Sequence, residues 1–178
     1  MDSTEWISLY RPGGYHPVEL GDKFNNRYVV EHKLGHGGYS TVWLARDLQH
    51  EHKRLVALKI MMSNESDACL ETSFLRRLNP QTQPSGWLWN ALSFGWESAS
   101  RGRPSFFPTV LDEFTTHGPN GNHCCLVTEV LGPSLRNLAG EVDEFFPFPL
   151  AVAKKIAVQL ARAVSELHER GIVHGGTL

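Results

Sequence analysis

Five short runs of apolar residues, alternating with polar ones or nearly continuous, predict five β-strands. They cover residues 28–34, 41–45, 55–61, 110–114 and 123–128 and are rich in β-branched and aromatic residues. Gly118-Pro119-Asn120-Gly121 separates the last two runs. Such a turn sequence between two strands predicts a β-hairpin.

Two segments have helical periodicity. In residues 66–78, Leu70, Phe74 and Leu78 recur every fourth position, and Ser66 or Asp67 can cap the helix. In residues 150–169 the apolar positions fall on one face, and Gly171 ends the helix; these positions are Val152, Ile156, Leu160, Val164 and Leu167. We expect much of this apolar face to be exposed and to promote association.

The order of these elements divides the chain into three parts. Residues 1–27 form an irregular extension, residues 28–131 contain the predicted sheet, and residues 132–178 begin at the Gly132-Pro133 break and continue into the long helix. Residues 79–108 are rich in proline and tryptophan and are interpreted as a long insertion or loop.

Composition limits the classes of function. The chain has 178 residues, of which 41% are hydrophobic and 20% charged, with a formal net charge of −2. This balance argues against direct nucleic-acid binding, and no apolar run approaches the ~18 residues that span a membrane. The three cysteines are not a disulfide framework, which favours a reducing intracellular location, cytoplasmic, nuclear or both.

A glycine cluster follows the first predicted strand. Residues 35–42 read G-x-G-x-x-S-x-V, and such glycines let the backbone approach phosphates closely and present its N–H groups. A dinucleotide-binding turn would require a helix directly after the glycines, whereas Thr41-Val42-Trp43 predicts a strand. A glycine-rich hairpin over phosphates and an ordinary tight hairpin both remain open at this point.

Lys59 lies within the apolar third strand, as Val56-Ala57-Leu58-Lys59. A buried lysine needs a counter-charge, although a lysine facing solvent on an edge strand would not. Its spacing after the glycines matches the V-A-I-K pattern of protein kinases, whose lysine holds the α- and β-phosphates of ATP. Glu71, on the next helix, is the candidate counter-charge, although another helical residue could take that place.

The strand of residues 123–128 runs on through Glu129-Val130-Leu131 into the Gly132-Pro133 break. In kinase terms this is the hinge: the carbonyl of Glu129 and the backbone of Leu131 would bond adenine, and Thr128 would guard the pocket behind it. As a bare sequence it is a strand and a turn.

Taken in order, these features resemble the SR-protein kinases, the eukaryotic serine/threonine kinases that phosphorylate arginine/serine-rich splicing factors. The resemblance covers residues 11–78 and 104–175, is of the fungal type, and includes Gly13-Gly14-Tyr15-His16-Pro17-Val18, Ser40 in place of a third loop glycine, and Leu111-Asp112-Glu113-Phe114. It implies an α+β, protein-kinase-like fold: an N-terminal lobe of a five-stranded antiparallel sheet plus one helix, with the first helices of the C-terminal lobe.

The resemblance also implies ATP as cofactor and a protein substrate, arginine/serine-rich in this group. It assigns the phosphate lysine and its partner to Lys59 and Glu71. The implied nucleotide-binding residues are Leu34, Gly35, His36, Gly37, Gly38, Tyr39, Ser40, Val42, Ala57, Lys59, Thr128, Glu129 and Leu131.

The resemblance fails where the catalytic loop should begin. His174 matches the histidine of H-R-D, but Gly175 and Gly176 stand at the arginine and aspartate positions. No Mg²⁺ ligand is identified in the 178 residues, and the chain is expected to be truncated at this loop. Three hypotheses remain: a truncated kinase, a non-catalytic pseudokinase-like module that binds nucleotide or a partner, and a non-functional fragment.

Overall fold

The computed structural model describes residues 5–50, 54–66, 70–78, 106–135, 138 and 148–173. The chain divides into two compact units. One comprises Met1–Arg77 with Pro108–Leu131 and contains the sheet, and the other comprises Leu78–Phe107 with Gly132–Leu178.

The sheet is antiparallel throughout and has strand order β1-β2-β3-β4-β6-β5. All five predicted strands are present, and the predicted hairpin turn joins the last two. The sheet nevertheless has six strands, which corrects the predicted count of five. Their bounds are β1 Lys23–Phe24, β2 Tyr28–His36, β3 Ser40–Asp47, β4 Leu55–Met61, β5 Val110–Gly118 and β6 Gly121–Thr128.

The additional strand β1 lies within the segment expected to be irregular. It pairs through only two residues, Lys23 with Val29 and Phe24 with Tyr28. Asn25 and Asn26 form the connecting turn with φ of 49° and 52°, a left-handed conformation that asparagine adopts more readily than most residues. A two-residue strand carries no periodicity of its own, so only its pairing with β2 reveals it.

Alternation of side chains gives the sheet two different faces. In β4, Val56, Leu58 and Ile60 are buried on one face, while Ala57 and Lys59 lie on the other. The first face forms the hydrophobic core, which comprises Phe24, Tyr28, Val30, Trp43, Ala45, Val56, Leu58, Ile60, Cys125 and Val127.

The N-terminal extension packs on this core face. Val18 contacts the core cluster, and the His16 ring lies edge-on to the rings of Phe24 and His123. Backbone hydrogen bonds fasten the extension to other parts of the unit, from Gly13 N–H to Asn120 O (2.8 Å) and from Ser63 N–H to Gly14 O (3.0 Å). The extension is therefore a structural part of the sheet unit.

A polar cluster secures the edge of the core near β1. Arg27 donates two hydrogen bonds of 2.7 Å to the carboxylate of the buried Asp47, and one of 3.3 Å to Asp112. Tyr28 donates its hydroxyl to the same Asp112 at 2.7 Å. Burial is the largest single effect and opposes ionisation of Asp47, but the hydrogen bonds from Arg27 and Gln49 and the charges of Arg27 and Arg54 together lower the pKa of Asp47.

The helices whose bounds lie in the described residues are α1, Leu70–Leu78, and α2, Leu150–Glu169, with short 3-10 turns at Ile7–Leu9 and Ser63–Glu65. The structure therefore confirms the long helix predicted at 150–169. Gly171 follows it with a φ of 70°, and Ile172 N–H returns to Leu167 O at 2.9 Å, which closes the helix end. No residue of α2 is buried, which agrees with the predicted exposure of its apolar face; association through that face stays a prediction.

Some sequence expectations fall on residues 67–69, 79–105 and 174–178, which lie outside the described part of the chain. Most of the aromatic 79–108 segment and the 174–176 tripeptide belong here.

Cys125 is a free, buried thiol, while Cys124 is disulfide-bonded, so Cys124 departs from the expectation of reduced cysteines. Among the described helices, none is both long and apolar enough to cross a membrane.

The half-buried imidazole of His16 lies edge-on to the buried imidazole of His123, with ring centroids 4.8 Å apart. Burial lowers the pKa of both, and the neighbouring His123 lowers that of His16 further. His123 also bonds through Nδ1 to the Met61 carbonyl at 2.8 Å. The folded chain therefore holds this pair in the neutral form.

We predict that folding stability decreases as the pH falls below 6.5, the pKa of a free imidazole. Below that value the unfolded chain takes up protons that the folded chain resists. The contribution of the pair to the unfolding free energy is therefore fully present above pH 6.5, and it is lost as the pH falls toward the lowered pKa values of the folded state. Thermal midpoints at pH 7.5 and 5.5 measure the decline, which should be smaller in His16→Phe. His117→Gln is the control, because His117 is exposed; equal declines in wild type and His16→Phe would contradict the assignment.

Candidate functional site

The glycine loop joins β2 to β3 and is followed by a strand, as predicted. Gly37 N–H donates to Ser40 O at 2.8 Å, which closes the turn, and β3 begins at Ser40. No helix follows Gly38, so the dinucleotide-binding alternative is excluded by the local fold.

Nothing in the described fold requires glycine at positions 37 and 38. A methyl group added at Gly38 would meet nothing within 4 Å, and one at Gly37 would meet only the Ser40 hydroxyl at 3.7 Å. Neither residue has positive φ. The space beside the loop backbone is therefore open to a ligand.

Lys59 lies on the sheet face opposite the core. Its register partners are Val42 on β3 and Leu126 on β6, while Ala57 pairs with Leu44 and Thr128. Because directly paired residues project to the same side of a sheet, these side chains form one surface. This face is mostly apolar around the Lys59 ammonium group and comprises Val42, Leu44, Ala57, Lys59, Leu126 and Thr128, of which Ala57 and Leu126 are buried.

The predicted ion pair forms. Lys59 Nζ donates to Glu71 Oε2 at 2.6 Å, and Glu71 stands in the first turn of α1. The side chains are 28% and 42% exposed, respectively, so solvent screening keeps the contribution to stability within about 1 kcal/mol. The effect of the pair is to fix the position of the ammonium group.

Beyond β6, Glu129 is held by its side chain. The carboxylate accepts the backbone N–H of Thr109 at 2.8 and 3.0 Å, and the Glu129 carbonyl accepts the Thr128 hydroxyl at 3.1 Å. A carbonyl oxygen has a second lone pair for another donor. Leu131 is exposed. The bond from Thr109 was not foreseen, since sequence gives no signal for a contact across 20 positions.

The remaining predicted loop residues lie around the turn. Leu34 and Tyr39 are exposed, His36 ends β2, and Ser40 is buried. Gly35 has open space where a side chain would be. Met62 N–H donates to Tyr39 O at 2.8 Å, so the loop is tied to the end of β4. His174, Gly175 and Gly176 lie outside the described residues.

One contact of the loop was missed by sequence reasoning. Tyr15, from the N-terminal extension, donates its hydroxyl to Gly37 O at 2.7 Å and lies 3.3 Å from Gly38 O. Its only signal was the Gly-Gly-Tyr-His-Pro-Val sequence, which contributed to the family resemblance without any assigned role.

The residues present fit a nucleoside triphosphate. An open glycine loop, a positioned ammonium group and an apolar surface provide for phosphates and a base. Among the described residues, no group of three or more His, Cys, Asp or Glu side chains could hold a metal ion.

In comparison with known proteins, the chain is similar to protein kinases. No protein-family model matches the chain. It is 39% identical over 167 residues to the protein kinase dsk1 of Schizosaccharomyces pombe, covering 93% of this chain and 28% of that protein. It is 33% identical over 168 residues to human SRSF protein kinase 3, covering 93% of this chain and 26% of that protein.

A third relative is the serine/threonine-protein kinase SKY1 of Saccharomyces cerevisiae, which is 35% identical over 97% of this chain and 22% of its own length. The chain thus spans between about a fifth and just over a quarter of these three relatives. A crystal structure of a kinase domain superimposes with a TM-score of 0.61 at 20% identity, covering 87% of this chain and 39% of that one. The likeness confirms the protein-kinase-like fold.

We predict that Gly37→Ala leaves stability nearly unchanged, within about 0.5 kcal/mol, because the added methyl group makes only an ordinary contact. Gly14→Ala is the matched comparison: its methyl group would lie 1.8 Å from Leu9 O, and such overpacking costs about 1–3 kcal/mol. Urea unfolding of both variants measures the difference. A Gly37→Ala variant as unstable as Gly14→Ala would show that the fold itself requires the loop glycine.

Proposed function

We propose that this chain, which is homologous to the SR-protein kinases over 93% of its length, is the ATP-binding part of a serine/threonine protein kinase. The observation that carries the proposal is the 2.6 Å pair of Lys59 and Glu71 on the sheet face that adjoins the open glycine loop. Each feature has a structural explanation when taken alone, but an ammonium group held beside an open glycine loop is what a phosphate chain requires.

Each residue has a distinct part in holding ATP. Lys59 provides a positive charge for the phosphates, and Glu71 keeps that charge in place. The loop backbone of residues 35–39 provides N–H donors. Val42 and Ala57 offer an apolar surface to the adenine ring, and the backbone of Glu129 and Leu131 offers hydrogen bonds to its edge.

When bound, ATP supplies the γ-phosphoryl group that a kinase transfers to a hydroxyl. The relatives include an SRSF protein kinase, so we propose a serine in an arginine/serine-rich protein as the acceptor for the whole kinase. An intracellular location, cytoplasmic, nuclear or both, would accompany this function.

Catalysis by the 178-residue polypeptide itself is a separate question. Phosphoryl transfer depends on positioning and on charge stabilisation, mostly by Mg²⁺ and its ligands. Gly176 stands where a catalytic aspartate would orient the substrate hydroxyl, and the described residues contain no group of three or more His, Cys, Asp or Glu side chains that could hold a metal ion. We therefore propose nucleotide binding without phosphoryl transfer for this polypeptide, which corresponds to a pseudokinase-like activity.

ATP binding is tested by calorimetric titration of the wild type, Lys59→Ala and Lys23→Ala. We expect Lys59→Ala to weaken ATP binding about tenfold or more, because a charge-assisted bond to phosphate is lost, and to leave adenosine binding unchanged. Lys23→Ala removes the same charge from an exposed position on β1 and should have no effect. Equal ATP affinity in wild type and Lys59→Ala would remove Lys59 from the site.

Catalysis is tested with radiolabelled ATP and an arginine/serine-rich peptide. We predict no incorporation by the 178-residue polypeptide, and none by Gly176→Asp, because an added aspartate does not supply the metal ligands. Incorporation that disappears in Lys59→Ala would contradict the prediction and show that the polypeptide is an active kinase.

A further inference from the structure

The glycine loop is held from outside its own hairpin by one side chain of the N-terminal extension. The Tyr15 hydroxyl lies 2.7 Å from Gly37 O and 3.3 Å from Gly38 O, although 22 positions separate Tyr15 from Gly37. We propose that Tyr15 is a positioning residue, which holds the loop so that the N–H groups of Gly38 and Tyr39 are available to the phosphates of ATP. The inference rests on the proposed nucleotide site.

Peptide geometry links the two sides of the loop. In a planar trans peptide the C=O and the following N–H point in opposite directions, and the described chain has no cis peptide bond. Drawing Gly37 O and Gly38 O toward Tyr15 therefore turns the N–H groups of Gly38 and Tyr39 away from the extension. Holding the carbonyls of Gly37 and Gly38 in place thus orients the N–H groups of Gly38 and Tyr39.

Those two donors have no acceptor among the described residues. Within the described part of the chain, no hydrogen bond is donated by the N–H of Gly38 or Tyr39, whereas Gly37 N–H closes the turn to Ser40. The space beside both glycines is open. Two unpaired N–H groups in an open loop are an anion-binding arrangement.

Tyr15 is itself firmly placed, which a positioning residue requires. Its side chain is buried, its N–H bonds to Leu9 O at 2.9 Å, and its carbonyl accepts the Asn120 side-chain amide at 2.6 Å. Its ring packs against Tyr10 with centroids 5.6 Å apart. Burial, followed by the charge of Glu5, raises the pKa of Tyr15, so the hydroxyl stays protonated and able to donate.

Burial of the ring alone would anchor the extension without any bond to the loop. Tyr15→Phe keeps the ring and removes only the hydroxyl, so it separates positioning from packing. Tyr10→Phe is the matched control. The Tyr10 hydroxyl donates to Glu5 in the same extension and, among the described residues, forms no hydrogen bond with the glycine loop.

The experiment measures ATP and adenosine affinity by calorimetry, and amide hydrogen exchange of residues 35–39 in the nucleotide-free protein. For Tyr15→Phe we expect about three- to tenfold weaker ATP binding, the effect of one hydrogen bond, with unchanged adenosine binding and faster exchange in the loop. Tyr10→Phe should match wild type in all three measurements.

Unchanged loop exchange in Tyr15→Phe would overturn the inference. So would equal losses of ATP and adenosine affinity, since these would indicate general disorder of the site. Failure of the wild type to bind ATP would instead refute the proposed function and, with it, the role toward phosphate. The exchange measurement would still decide whether Tyr15 restrains the loop.

Discussion

A lysine in a central strand of an apolar sheet is the constraint on which the candidate site depends. Lys59 lies between Leu58 and Ile60, both buried in the core on the opposite face. An ammonium group so close to a core needs a counter-charge, and α1 delivers Glu71 to it at 2.6 Å. Because the pair is partly exposed it adds little stability, so its consequence is a charge held at a defined point.

The core lies on one face of the sheet and the candidate site on the other. The N-terminal extension packs on the core face, where His16 packs against His123, and Lys59 lies on the opposite face. The same extension reaches past the sheet to the glycine loop through Tyr15. One segment therefore both completes the core and restrains the loop. Changes in the packing of this segment should therefore alter the position of the glycine loop.

The main elements were predictable because their signals are local. Alternation marked the five longer strands, helical periodicity marked residues 150–169, and the strand after Gly38 excluded a dinucleotide-binding turn. The pairing of Lys59 with Glu71 followed from the cost of an unpaired buried charge. β1 was not predicted, because a run of two residues shows no periodicity and forms a strand only by pairing with β2.

The sequence by itself determined the alternation that sends Lys59 to one face and Leu58 to the other, because backbone geometry sets the side of each residue in a strand. It also determined the order of glycine loop, lysine and helix along the chain. Only the tertiary structure decided that Tyr15 reaches Gly37 and that Thr109 bonds to Glu129. Such contacts join residues about 20 positions apart, and their geometry depends on how the whole unit packs rather than on any local pattern.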